Sequence, residues 1–138
     1  MSDEQQSART MHGDPVHVAP LTPAAAAALC AFARSLGFVC ARIDLTGCRD
    51  KGEFLARIAV ALEFPGWFGG NWDALFDCLT DLGWRPAVGY LLIFEHAAGW
   101  RDAAPEAFDA AVAILGDASA AWQERGVPFR SFVDLGGT

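Results

Sequence analysis

Three aspartates, Asp73, Asp77 and Asp81, recur at every fourth residue in the stretch from Asn71 to Leu82. On a helix turning about 100° per residue they share one face. A row of carboxylates supports two kinds of chemistry. It accepts charge-assisted hydrogen bonds from Arg, Lys or His of a basic partner, taking the positions a phosphate backbone would occupy in a nuclease site. Alternatively, Asp73 and Asp77 divide acid and base duties, as carboxylate pairs do in glycosidases and acid proteases. The blander reading is a solvated polar face. Within the helix no Lys or Arg lies three or four residues from any of the three. Like charges at that spacing cost roughly 0.2–0.5 kcal/mol per pair. Just upstream, Trp67 and Phe68 sit in a glycine-flanked loop, where burying both within the chain is awkward. Aromatics beside clustered charge are a common make-up of interface hot spots.

The helix that must carry these groups is legible. Asn71 is a good N-cap, and Trp72, Leu75, Phe76, Leu79 and Leu82 form one apolar stripe nearly opposite the aspartates. Before it, Thr22-Pro23 opens a helix that runs through the alanines to about Leu36 and stops at Gly37. Phe38 to Leu45 reads as a strand. Asp50 and Glu53 start a second helix, with Phe54, Leu55, Ile58 and Leu62 on one side and Pro65 at its end. After the aspartate helix, Gly89 to Glu95 is an unbroken apolar run, as in a strand buried on both faces. A loop containing Trp100 leads to a long helix from Pro105 to Gly126, and Val127 to Leu135 reads as the last strand. Strands separated by helices of this length favour parallel pairing. The expected fold is α/β, with a three-stranded parallel sheet packed with helices. Residues 1–20 read as a flexible tail and residues 21–138 as one domain. Its first helix either pads the sheet or makes a second contact.

The run Phe64-Pro65-x-Trp67-Phe68-Gly69-x-Asn71-Trp72-Asp73-Ala74-Leu75-x-Asp77-Cys78-Leu79-Thr80 resembles the signature of the barstar family, intracellular bacterial inhibitors of secreted guanyl-specific ribonucleases. The resemblance extends more weakly from about Phe38 to Leu135. It implies a barstar-like fold, to which this chain adds the N-terminal helix read above, and a loop and helix that plug a ribonuclease active site. By position, the implied contacts are Trp67, Phe68, Gly69, Asn71, Asp73, Phe76, Asp77 and Thr80. Asp77 would be the central carboxylate, Asp73 lies one turn before it, and Trp67 would cover a catalytic His. The chain departs from the family pattern in the long stretch before its first strand, where compact members have almost none, and at three positions. Phe76 stands for a larger aromatic, Gly70 for an acidic loop residue, and Ala121 for a Glu on the last helix.

Composition narrows the remaining classes. The chain has 138 residues, 53% hydrophobic and 20% charged, which suits one globular domain. Its net charge of −7 argues against a nucleic-acid partner, since phosphate neutralisation needs clustered Lys and Arg. It suits a basic protein partner; the resemblance implies that this partner is a barnase-type ribonuclease or related toxin, bound one to one by a chain that is otherwise a monomer. No apolar run approaches the ~20 residues needed to span a membrane. Cys30, Cys40, Cys48 and Cys78 lack CxxC spacing and read as reduced, buried thiols, consistent with a cytoplasmic location. No cofactor, metal ligand set or catalytic residue is expected.

The enzyme alternative has less behind it. Both acids project from one helix face with no obvious wall to desolvate either, and GxSxG, HExxH, P-loop and GxGxxG patterns are missing. His96, after the apolar strand, reads more simply as a satisfied strand-end histidine. Two further alternatives keep the docking chemistry. One is a barstar-like module for a different toxin, hydrolase or regulator. The other is an acidic nucleic-acid mimic, which would spread carboxylates over a longer surface than one short helix offers.

Overall fold

Three helices begin where the sequence supplies a side-chain oxygen to take an otherwise unbonded backbone N–H. In the computed structural model, which describes residues 15–136, Thr22 Oγ1 accepts from the Ala25 amide at 3.1 Å. Asp50 Oδ1 accepts from Glu53 at 2.9 Å and Asn71 Oδ1 from Ala74 at 2.8 Å. Such caps each stabilise a helix by about 1 kcal/mol. They open α1 (Pro23–Ser35), α2 (Lys51–Ala61) and α3 (Trp72–Asp81). At the other end of α1, Gly37 adopts a φ of +87°, a left-handed turn that glycine takes without penalty.

Among the described residues, four strands make one all-parallel sheet: β1 (Val16–Ala19), β2 (Val39–Asp44), β3 (Tyr90–Glu95) and β4 (Phe129–Asp134). Their spatial order is β1-β4-β3-β2. All six residues of β3 are buried, as its unbroken apolar run requires of a strand covered on both faces. The sheet has one strand more than the three expected. Val16–Ala19, read from sequence as loose tail, pairs along the outer edge of β4, with Val16 opposite Ser131 and Ala19 opposite Asp134. Four residues are too few for alternation to register in the sequence, and a long-range partner fixes the strand. Residues 1–14 of the expected tail lie outside the described residues. The loop holding Trp100 contains a further short helix, α4 (Ala98–Ala103), before α5 (Pro105–Glu124).

The sheet separates two apolar layers. On one face, α1 packs Ala26, Cys30 and Ala33 against Cys40, Leu91 and Ile93. On the other face lies the larger core, where α2, α3, α4 and α5 bury Phe54, Ile58, Leu75, Leu79, Trp100, Phe108, Leu115 and Trp122 over Ile43, Leu92, Phe94 and Phe129. Phe54 stacks on Trp100 with ring centroids 4.3 Å apart. Gly89 precedes β3 because the Phe38 ring lies where any Cβ would be, at 2.4–2.6 Å. Among the described residues, no helix is long and apolar enough to cross a membrane.

Candidate functional site

Helix α3 is held from below by its own stripe. Leu75, Cys78 and Leu79 are fully buried, and Leu82, the residue after the helix, turns inward with φ +47°. Burying each leucine side chain contributes about 1.5–3 kcal/mol. Phe76 and Trp72, assigned to the same stripe from sequence, are only half-buried. They flank the buried row, and the Trp72 ring is covered by Lys51 Nζ at 5.2 Å from its centroid. At the far end, α5 takes up the carbonyls that α3 leaves unbonded. Trp122 Nε1 donates to Leu79 O at 2.7 Å, and Arg125 Nη1 donates to Thr80 O at 2.7 Å. A helix end needs such partners, and a cation there also suits the helix dipole.

With the stripe fixed, the aspartates face outward. Asp73, Asp77 and Asp81 are all exposed. Among the described residues, the carboxylates of Asp73 and Asp77 take part in no ion pair or hydrogen bond. Asp81 Oδ1 accepts from the Gly83 amide at 3.3 Å. Asp77 follows Asp73 by four positions, an axial rise of about 6 Å. Their field reaches inward as well. Burial, with Asp77 and Asp81 adding to it, pushes the Cys78 thiol up to about 11. Thr80 is half-buried, and its hydroxyl donates to Phe76 O at 2.8 Å, back along its own helix.

The two loop aromatics part company. Trp67 is 58% exposed and stands edge-on to Trp84, with ring centroids 6.2 Å apart and planes at 87°. Trp84 is anchored in turn by an Nε1 bond of 3.0 Å to Leu62 O. Phe68 instead packs on the core, edge-on to Phe64 at 4.9 Å. The difficulty expected in burying both is met by sending one ring inward and leaving the other out. Gly69 and Asn71 are exposed, and the Asn71 side chain is engaged as the α3 cap. Gly70, immediately before that cap, has a φ of +70°. Trp84, Lys51 and Arg125 shape this face but were not singled out as contacts from sequence. Trp84 and Arg125 reach it from outside the motif, through the turn after α3 and the end of α5, and nothing in local spacing announces that.

His96 lies elsewhere. It sits at the carboxyl edge of the sheet, bordering a cleft with Pro20, Thr22, Asp134 and Gly136, and its amide donates to Asp134 Oδ2 at 3.2 Å. Among the described residues it makes no hydrogen bond or ion pair with Asp73 or Asp77. A model of the family described as Barstar (barnase inhibitor) matches residues 38–134, which span β2 to β4 with α3 and its loop inside. β1 and α1 fall outside that span. A search of curated proteins finds no match to the chain.

Proposed function

The chain belongs to the barstar family, and from that membership we propose that it is a protein inhibitor that binds and blocks the active site of a basic, secreted ribonuclease. The observation that carries this reading is the pair of exposed carboxylates, Asp73 and Asp77, with which no cation among the described residues pairs. A ribonuclease site gathers cations to hold phosphate, and the same cations bind a carboxylate row by charge-assisted bonds. Asp77 is the central group, Asp73 the second, and exposed Trp67 covers the cleft beside them. Phe68, Gly69, Asn71, Phe76 and Thr80 fill out the contact. The complex is one to one and forms in the cytoplasm, before the nuclease is exported. The family is one of inhibitors, and the reading assigns no catalytic residue. The barnase–barstar pair is itself a reference case of such electrostatic steering.

A second reading keeps the docking face and changes the partner to another toxin, hydrolase or regulator. Gly70 and Ala121 favour it, because both stand where the family pattern supplies acids to the nuclease.

Titration into a barnase-type ribonuclease at low ionic strength separates these readings. Cleavage of RNA should stop at one equivalent. Asp77→Ala should weaken inhibition by at least ~30-fold, the lower end of the cost of leaving a buried charge unpaired, with the fold unchanged by circular dichroism. Equal inhibition by parent and variant would move the contact off α3. No inhibition by the parent would favour the second reading.

A further inference from the structure

The acidic face has a cationic border. Arg125, just past the end of α5, lies over the Trp122 ring at 4.4 Å from its centroid and donates to Thr80 O at 2.7 Å. Trp122 is pinned in its turn by the bond to Leu79 O. These two restraints hold a guanidinium at the carboxyl end of α3. Thr80 follows Asp77 by three residues, an axial rise of about 4.5 Å. The Arg125 side chain is exposed. A guanidinium offers five N–H donors in a planar fork shaped for a carboxylate, and among the described residues the Thr80 carbonyl is its one hydrogen-bond acceptor.

We propose that the docking face is bipolar: Asp73 and Asp77 receive cations of the partner, and Arg125 receives a partner carboxylate at the rim of the same cleft. This deepens the inhibitor reading and rests on it. A uniformly basic cleft would set positive charge against Arg125, which a favourable interface avoids by matching potentials. The partner that fits best therefore carries an Asp or Glu beside its phosphate-binding cations. Such a pairing selects among nucleases by charge pattern, since a wrong partner meets like charge.

The experiment measures binding of the parent, Arg125→Gln and Arg125→Glu to a barnase-type ribonuclease. It includes a panel of that nuclease in which each Arg or Lys at the cleft rim is singly replaced by Glu. At least one Glu-bearing nuclease should bind the parent ~10-fold or more tightly than the unmodified nuclease does, and Arg125→Glu should reverse that preference. Arg125→Gln should abolish it without introducing a charge, which keeps the comparison available if Arg125→Glu folds poorly. Thermal melts report the separate role of Arg125 in closing α3. Inhibition by the parent with no charge preference across the panel overturns the bipolar face and leaves the inhibitor reading standing. A parent and variants that bind none of the nucleases overturn both.

Discussion

Asp77 and Asp134 show how surroundings assign one side chain opposite duties. The Asp77 carboxylate is exposed and has no hydrogen-bond or ion-pair partner among the described residues, which leaves its charge to another molecule. Asp134 is 3% exposed, and its carboxylate accepts backbone N–H bonds from Leu21 at 2.8 Å, Gly136 at 2.7 Å and His96 at 3.2 Å. It ties the start of α1, the end of β3 and the residues after β4 into one knot. Burial alone would raise its pKa, but the three N–H donors and His96 outweigh it, and the net shift is downward from the ordinary 3.8. The unfolded chain therefore takes up this proton at higher pH than the folded one. The stabilisation is complete well above pH 4 and fades as pH falls through the lower, folded value. Asp134→Asn should cost about 1–3 kcal/mol at pH 7. Its gap to the parent should narrow below about pH 4, as read by urea melts at both pH values. Asp44, whose pKa Thr46 lowers through hydroxyl and amide bonds, titrates in the same direction in both proteins and cancels from the comparison. A gap independent of pH would mean that the charge of Asp134 is not what the knot uses.

At the level of elements, α3 is a lever whose buried side determines where its exposed side points. Leu75→Ala or Leu79→Ala should cost about 2–5 kcal/mol in chemical denaturation, since both side chains are fully buried. Asn71→Ala should cost about 1 kcal/mol through loss of the cap. Near-neutral leucine variants would mean that the helix is rotated from the observed phase. This lever was legible in the sequence because three signals agree there: an N-cap, a helical apolar period and a row of charges opposite it. The outward aspect of Asp73 and Asp77 followed from that phase alone. Where signals were short or remote, the sequence was silent. β1 has four residues and is defined by β4, more than a hundred positions away. α4 has six residues and no side-chain cap, so its stretch read as loop. The division of labour between Trp67 and Phe68 depends on Trp84 and Phe64, which a one-dimensional pattern does not bring together. Gly70 adds a constraint at this scale. Its left-handed backbone means that an acidic residue restored there would meet about 1–2 kcal/mol of strain in the present loop.

For the whole molecule, the net charge of −7 and the exposed carboxylates of α3 act together at distances beyond contact. Stopped-flow association with a basic ribonuclease should slow as salt rises from low ionic strength toward 0.15 M, where the screening length is about 8 Å. A rate insensitive to salt would rule out steering and leave only short-range fit. The four cysteines do not disturb this picture, because each is buried, and burial beside Cys30 pushes the Cys40 thiol up to about 12, far from its reactive thiolate form. The sheet also gives the molecule a front and a back. α3 and the loop before it belong to the layer on one side, and α1 belongs to the layer on the other. Anything fastened to the outer surface of α1, whether a label, a solid support or a fused domain, is screened from the proposed docking face by the full thickness of the sheet. The protein can thus be held from behind while its front stays open to a partner.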